Sequence, residues 1–288
     1  MIKPARVSVK QVERIVKNAL AEDLPFGDVT TEALIPFALL GKASILVKKE
    51  GVLAGIEVAK EVFRQVDRSL QFKALVKDGA KVHKSEVVAT IEGRAASMLK
   101  AERVALNFLQ HLSGIATETA RYVEAVRGTK AVITDTRKTI PGLRLLEKYA
   151  VRVGGGRNHR LNLSDGVLIK DNHLAVLRSS GVGLGETVKM ARRRAPRTVK
   201  IEVEVESLKQ AREALSAGAD IIMLDNMRPM DMRKVVELAR KKALLEASGG
   251  VNLNNVRSVA EVGVDLISIG ALTHSSRALD ISLELEPR

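Results

Sequence analysis

A repeated spacing in the second half of the sequence constrains the fold more than any other feature. Short apolar runs end at Glu204, Asp225, Ser248 and Gly270, which lie 21, 23 and 22 residues apart. We predict strands at 132–135, 167–170, 201–204, 221–225, 244–248 and 266–270, and helices at 208–217, 230–241 and 255–262. Alternating strands and helices of this length are typical of a parallel sheet covered by helices, and the unit length suits an α/β barrel.

The first half of the chain has a different pattern. Ser8 and Gln11 predict a capping box for an amphipathic helix that ends near Asp23. Strands are predicted at 43–47, 72–76 and 87–91, with a helix between the first two, and a long helix at 97–126 bridges two domains. We therefore expect an N-terminal α/β domain at 1–114, joined by the C-terminal segment 274–288, and a barrel domain at 115–273.

Composition narrows the function classes. The chain has 288 residues, 45% hydrophobic and 28% charged, which is ordinary for a globular protein. It has no cysteine, so a disulfide framework, a thiolate nucleophile and a Cys-ligated metal are excluded, and the cytoplasm is the simplest location. The N-terminus lacks the apolar region of a signal peptide, and the longest apolar run, 33–40, is too short to span a membrane.

The net charge indicates an anionic partner. Forty-seven Lys and Arg against 34 Asp and Glu give +13. Such a surplus suits nucleic acid, an acidic membrane face or a polyanionic metabolite. Two Tyr, five Phe and no Trp leave little for bases to stack on, and no recognition helix is present in the basic region, so nucleic-acid binding is disfavoured.

Polar residues and glycines follow the predicted strands. In a parallel α/β barrel the carboxyl ends of the strands converge on the active site, so these positions are candidates for it. The candidates are Asp135, Thr136, Arg137, Lys138, Lys170, Asp171, Asn172, His173, Glu204, Asp225, Asn226, Ser248, Gly249, Gly250 and Gly270. The set has cations on one side and a carboxylate pair on the other.

The cations favour a ligand with several negative charges. From Asp135 to Lys170 the sequence has eight Lys or Arg against three acids. Two arginines there fit two carboxylates or several phosphates, because guanidinium binds either in bidentate fashion. A structural ion pair is the alternative for Arg137, Arg160 and Lys170. His159 is as compatible with a structural hydrogen bond as with ligand binding, and the five His residues show no metal-ligand spacing.

The sequence alone leaves more than one role open for the carboxylates and for the glycines. Glu204 and Asp225 suit Mg²⁺ ligation, contact with sugar hydroxyls or stabilisation of a developing positive charge, or they neutralise nearby lysines. Strand alternation places Glu202 on the same side as Glu204, so spacing does not say which of them matters. The Ser248–Gly250 turn suits phosphate binding or is a plain turn. Neither a P-loop nor a dinucleotide fingerprint is present.

Several motifs together resemble one family. They are Asp135-Thr136-Arg137-Lys138-Thr139, Pro141-Gly142-Leu143-Arg144, Gly155-Gly156-Arg157-Asn158-His159-Arg160, Leu168-Ile169-Lys170-Asp171-Asn172-His173, Gly27-Asp28-Val29-Thr30-Thr31, Ala101-Glu102-Arg103, Glu202-Val203-Glu204, Leu224-Asp225-Asn226 and Ser248-Gly249-Gly250. Over essentially the whole chain the sequence resembles the quinolinate phosphoribosyltransferases. The resemblance implies an α/β fold with an N-terminal α/β sandwich domain and a C-terminal open, TIM-like α/β barrel of parallel strands.

The resemblance also implies a reaction. Quinolinate and phosphoribosyl pyrophosphate give nicotinate mononucleotide, pyrophosphate and CO₂ with Mg²⁺, in de novo NAD synthesis. The resemblance further implies a homodimer with shared active sites, either alone or as part of a higher oligomer. The implied quinolinate residues are Arg137, His159 and Arg160, with Arg103 from the partner subunit. Lys138 and Lys170 face anionic groups, while Glu204 and Asp225 lie at the ribose and metal. The implied phosphate-end residues are Ser248, Gly249, Gly250 and Gly270, and the further substrate-binding residues are Thr136, Ser268 and Ala271.

One alternative on the same fold stays open. A nicotinate phosphoribosyltransferase, or a relative with a changed role, has no use for residues that bind a second carboxylate. The two functions differ in whether Arg137, Arg160 and Arg103 together bind that carboxylate.

Overall fold

The computed structural model describes residues 7–240 and 242–287. The outer limits of the predicted domains, at 1 and 288, and the predicted helix end at 241 lie outside these residues. Within them the α-helices are α1 (Val9–Asp23), α2 (Val29–Leu34), α3 (Ile56–Val66), α4 (Ala95–Ala125), α5 (Arg144–Val153), α6 (Asp171–Arg178), α7 (Leu184–Arg194), α8 (Leu208–Ser216), α9 (Pro229–Ala239), α10 (Val256–Glu261) and α11 (Ala271–His274). The strands are β1 (Leu40–Val47), β2 (Gly51–Val52), β3 (Gln71–Ala74), β4 (Lys81–Val82), β5 (Val87–Arg94), β6 (Val132–Thr134), β7 (Val167–Ile169), β8 (Ile201–Val205), β9 (Ile221–Asp225), β10 (Leu244–Ser248), β11 (Leu266–Ser268) and β12 (Ile281–Pro287).

One compact unit contains residues 7–120, 139–155 and 271–287. Its main sheet has the antiparallel order β12-β1-β5-β3, and β2 pairs with β4 separately. In β1 every second side chain is buried, including Ala43, Ile45 and Val47, as expected for a sheet with one face on a core. The capping box predicted for Ser8 and Gln11 is present at the start of α1.

The other compact unit contains residues 121–138, 156–240 and 242–270. Its sheet has the order β6-β11-β10-β9-β8-β7, and all five pairings are parallel. β6 and β7 are the two edges of this sheet, so it is open. Continuous apolar runs such as Ile221–Leu224 form its strands, as is typical of parallel sheets that are covered on both faces. The predicted α/β fold, with an N-terminal α/β domain and a C-terminal domain of parallel strands, is confirmed, and the structure adds that the N-terminal sheet is antiparallel.

The compact units differ from the predicted domains in three places. Residues 115–120, 139–155 and 271–273 make their contacts in the antiparallel-sheet unit, and the boundary between the two units falls within α4. The end of α5 approaches α4 closely, since a Cβ on Gly154 would lie 2.4 Å from the Ala116 carbonyl oxygen. No helix among the described residues has both the length and the apolar character needed to cross a bilayer.

Candidate active site

The parallel sheet brings the predicted residues together at the carboxyl ends of its strands. Lys170 directly follows β7, Glu204 lies next to the end of β8, and Asp225 and Ser248 are the last residues of β9 and β10, opposite each other in register. Gly270 follows β11 by two residues. The carboxyl ends of the strands are where α/β barrels have their active sites.

Two of the predicted residues contact each other directly. The Lys170 ammonium Nζ donates to Glu204 Oε2 at 3.1 Å. The Lys170 side chain is 48% exposed, whereas that of Glu204 is 12% exposed. A pair with one exposed partner adds little to the stability of the fold.

The turns after β9 and β10 are built around Asn226. Its backbone is left-handed at φ 50°, its N–H donates to the Ser248 carbonyl oxygen, and its side-chain amide donates to Asp225 Oδ2 at 2.8 Å. Gly249 and Gly250 are left-handed too, and a Cβ on Gly249 would lie 2.4 Å from Asn226 Oδ1. Glycine is required at 249 on both counts, and successive left-handed residues expose backbone N–H groups in a manner that suits anions.

Asp135 fixes the segment that carries His159. The Asp135 side chain is fully buried after β6. Its Oδ1 accepts the His159 backbone N–H at 2.9 Å, and its Oδ2 accepts the Asn158 side-chain amide at 2.6 Å. Arg157 also forms a parallel bridge with Thr134. The segment 157–159 therefore runs beside the end of β6, where Thr136, Arg137 and Lys138 follow.

His159 contacts two buried glutamates. Its Nε2 lies 2.9 Å from Glu202 Oε2 and 3.6 Å from Glu246 Oε2. Glu246 is completely buried and Glu202 is 4% exposed. Both Glu246 oxygens and Glu202 Oε1 lack a hydrogen-bond partner among the described residues. We refer to His159, Glu202 and Glu246 as the buried triad. The sequence analysis did not identify Glu246. It identified His159 and Glu202 as candidates, but not the contact between them.

The charge state of the triad follows from its burial. Burial, and then the negative charge of Glu202, raises the pKa of Glu246 to about 8, while His159 and the Ser268 hydroxyl act in the opposite direction. Burial and the charge of Glu202 therefore favour the protonated form of Glu246 at neutral pH. Two ionised carboxylates this close in a buried site would repel each other strongly, and a retained proton removes that repulsion.

Two arginines lie near the triad. Arg160 is 7% exposed, and its Nη1 donates to the Gly166 carbonyl oxygen at 3.1 Å. Burial, followed by the positive charge of Arg137, lowers the pKa of Arg160 from its ordinary value, and the charge of Glu202 opposes this. Arg160 stays protonated. An anionic ligand would lower the repulsion between two such guanidinium groups.

The remaining predicted residues have less distinctive surroundings. Thr136 Oγ1 accepts the Lys138 backbone N–H at 3.0 Å, and Lys138 is exposed. Ser268, at the end of β11, is 4% exposed. Ala271 begins α11. Arg103 is exposed on α4, within the part of that helix that belongs to the antiparallel-sheet unit.

Fold and site together define a two-domain α/β-barrel enzyme for anionic substrates. Comparison with known families is more specific. Residues 28–113 match the N-terminal domain of quinolinate phosphoribosyl transferase, and residues 115–284 match its C-terminal domain. The chain belongs to the quinolinate phosphoribosyltransferase family.

Individual relatives agree over almost the whole length. A probable nicotinate-nucleotide pyrophosphorylase [carboxylating] of Bacillus subtilis is 44% identical over 96% of this chain and 93% of its own. The nicotinate-nucleotide pyrophosphorylase [carboxylating] of Mycobacterium leprae is 45% identical over 94% and 95%. The crystal structure of NadC from Streptococcus pyogenes has a TM-score of 0.93 at 42% identity and covers 99% of both chains.

Proposed function

We propose that this chain transfers the phosphoribosyl group of phosphoribosyl pyrophosphate to quinolinate, with loss of CO₂, and so makes nicotinate mononucleotide and pyrophosphate for NAD synthesis. The names of the relatives support the reaction. The observation that carries the proposal is the pair of arginines, Arg137 and Arg160, whose charges repel in a largely buried site. A substrate with two carboxylates neutralises both of them.

Quinolinate is held at the end of β6. Arg160 and Arg137 bind its carboxylates, and His159, fixed through its backbone by Asp135, lies beside them. Arg160 is anchored by its bond to Gly166, which leaves the rest of its guanidinium fork for the ligand. These residues orient the pyridine nitrogen toward the ribose, and such orientation supplies much of the rate in a two-substrate reaction.

Glu204, Asp225, Lys138 and Lys170 act on the transfer step. The bond between the quinolinate nitrogen and the ribose C1 atom forms as the bond to pyrophosphate breaks, and positive charge develops on the ribose. The carboxylates at the ends of β8 and β9 stabilise that charge. The lysines neutralise pyrophosphate, which leaves with the bonding electrons. The ring nitrogen, now positively charged, accepts the electrons released when CO₂ departs, and the ring carbon takes a proton.

The same two carboxylates suit Mg²⁺. Glu204 and Asp225 offer oxygen ligands from neighbouring strand ends, and Mg²⁺ is bound in proteins by one or two carboxylates together with substrate phosphates. When bound, Mg²⁺ neutralises charge on the pyrophosphate group. The turn of Ser248, Gly249 and Gly250 offers backbone N–H groups to the phosphate end, with Ser268, Gly270 and Ala271 as further contacts.

The active enzyme is proposed to be a homodimer that shares its sites. Arg103 is exposed on α4, where the partner subunit can receive it. Large apolar side chains are also exposed on the same unit, among them Phe26, Leu34 and Phe37, and such surface is typical of subunit interfaces. The proposed location is the cytoplasm, which suits a chain without cysteine.

The decisive experiment offers quinolinate and nicotinate side by side with phosphoribosyl pyrophosphate and Mg²⁺. We expect turnover of quinolinate, release of one CO₂ for each nicotinate mononucleotide formed, and a kcat/KM for nicotinate lower by at least about a hundredfold, because nicotinate leaves one arginine without its carboxylate. Comparable kcat/KM values for the two acids would contradict the proposal and favour a nicotinate phosphoribosyltransferase.

A further inference from the structure

We infer that Glu246 is a positioning residue for quinolinate: it remains a neutral acid beneath His159, and its ionisation weakens quinolinate binding. The inference rests on the proposed function, and it adds a residue outside the set of strand-end residues. Glu246 lies within β10, two positions before its last residue.

The geometry brings Glu246 to His159 from the interior of the sheet. Glu202 lies on β8 and Glu246 on β10, with β9 between them, and alternate strands of an α/β barrel direct side chains into the same internal layer. Their carboxylate oxygens and His159 Nε2 all lie within 4.8 Å of one another. His159 thus has a buried carboxylate on each of two strands below it, while Asp135 fixes its backbone.

Charged and titratable groups face Glu246 from several elements. Glu202 on β8 and Asp135 after β6 are negative and oppose its ionisation, as does complete burial. His159 favours its ionisation, and so does the hydroxyl of Ser268 on β11. The influences that oppose ionisation prevail, because complete burial is the largest of them all.

The neutral state matters because quinolinate brings two negative charges. With Glu246 protonated, the positive charges of Arg137 and Arg160 are opposed within the triad by Glu202 alone. Ionisation of Glu246 would add a second buried negative charge, which salt screens poorly. It would also pull the imidazole of His159 away from Glu202 toward Glu246. Both effects lower the affinity for a dicarboxylate.

The effect of Glu246 ionisation on quinolinate binding can be measured, because ligand binding and proton binding are thermodynamically coupled. If ionisation of Glu246 weakens quinolinate binding by some factor, quinolinate binding opposes the ionisation by the same factor. Quinolinate therefore binds with uptake of a proton at pH values near 8, where free Glu246 is partly ionised. A merely structural glutamate would not produce this coupling.

The first test compares KM values between pH 7 and pH 9 for wild type, Glu246→Gln and Glu147→Gln. Glu147 is a matched control, because it is also completely buried and also contacts a histidine, His111, at 2.9 Å, but it belongs to the antiparallel-sheet unit. In wild type we expect the KM for quinolinate to rise about tenfold over this range, since one pH unit corresponds to a factor of ten for a single ionisation. The KM for phosphoribosyl pyrophosphate should not follow it.

Glu246→Gln should abolish the rise, because glutamine mimics the neutral acid and does not titrate. Its KM at pH 9 divided by its KM at pH 7 should be near one, whatever its KM at pH 7, whereas Glu147→Gln should keep the wild-type ratio. An unchanged rise in Glu246→Gln, or a flat profile in wild type, overturns the inference. An enzyme that does not turn over quinolinate at all contradicts the proposed function instead.

Wild-type protein alone supplies a second test, which does not depend on the folding of a variant. Calorimetric titration with quinolinate at pH 8, in buffers of different ionisation enthalpy, should show net proton uptake, and its absence overturns the inference.

Metal analysis after chelator treatment gives a third test. A divalent ion that wild type retains and Glu246→Gln loses would mean that the triad binds a metal rather than a proton, and this too overturns it.

Discussion

Asp135 Oδ1 accepts a hydrogen bond from the backbone N–H of His159 at 2.9 Å. The residue directly after β6 thereby sets the position of a segment that follows it by more than twenty residues. Because the second oxygen of Asp135 binds the Asn158 amide, the carboxylate holds this segment at two points. The residues proposed to bind quinolinate, Arg137 and Arg160, therefore flank a segment whose position depends on a fully buried carboxylate.

Removal of the Asp135 carboxylate should weaken quinolinate binding by more than the loss of stability explains. Asp135→Ala removes the acceptor of two part-buried hydrogen bonds, and each donor left without another partner costs about 1 to 3 kcal/mol. We expect the KM for quinolinate to rise about tenfold or more, measured by steady-state kinetics, alongside a lower Tm. Asp265→Ala is the control, because Asp265 also binds a backbone N–H, that of Leu245. If both variants lose stability and neither changes KM, Asp135 has only a structural role.

Arg160→Lys keeps the charge but loses the planar fork. The KM for quinolinate should rise about tenfold or more, and the KM for phosphoribosyl pyrophosphate should change far less. Arg193→Lys is a matched control on the same unit, where Arg193 is exposed and pairs with Glu186 on α7. A change confined to the KM for phosphoribosyl pyrophosphate would assign Arg160 to the other substrate.

A complementation experiment tests the shared site. Arg103→Ala and Arg137→Ala subunits are each expected to be nearly inactive as homodimers. In a mixed dimer, one site carries both changes and the other carries neither if Arg103 acts in the partner's site. Activity should then return to about half of the wild-type value per dimer. Mixed dimers verified by differential tags and still inactive would show that Arg103 serves its own subunit.

Gly249→Ala should impair the phosphate end. Its φ of 82° is unfavourable for alanine, and the new Cβ would lie 2.4 Å from Asn226 Oδ1. We expect a rise of about tenfold in the KM for phosphoribosyl pyrophosphate, with a smaller change for quinolinate. Gly218→Ala has a similar φ of 83° but open space around the position, so it separates backbone strain from the clash. Equal kinetic effects of the two variants would show that the clash with Asn226 does not cause the change in KM.

Glu246 should also make stability depend on pH. Its pKa is raised from 4.5 to about 8 in the folded state, so the folded protein binds a proton that the unfolded chain has released. The stabilisation is complete below pH 4.5 and is lost as pH rises through about 8. Relative to Glu246→Gln, wild type should lose about 1.4 kcal/mol per pH unit within this window. Denaturant titrations at pH 5 to 9 measure the difference, and a constant difference would contradict the assigned proton.

The sequence predicted those parts of the structure that depend on local pattern. The six parallel strands follow from their apolar runs and spacing, and α4 from its long helical period. The short strands β2 and β4 and the edge strand β12 were not predicted, because two residues carry no period and an edge strand is defined by its partner. Helices α2, α5, α6 and α11 were also missed, and all of them are ten residues or shorter.

The candidate site divides in the same way. Residues at strand ends could be predicted, because the repeat itself marks where strands end. Glu246 could not, because it lies inside a strand, and its importance comes from contacts with Glu202 and His159 that are distant in sequence. The same holds for Asp135, whose position after β6 was noted but whose bonds to Asn158 and His159 depend on how the segment returns to that strand.

The pairing of β12 with β1 has a consequence for biosynthesis. β1 is made early, yet its partner along Gly41–Val47 is Ile281–Pro287, which the ribosome makes only after the entire barrel. An unpaired strand edge is prone to pair with other chains. The nascent protein therefore carries an exposed edge until translation has passed the barrel, and chaperone binding or a delay in folding during that interval would fall on the domain that was synthesised first.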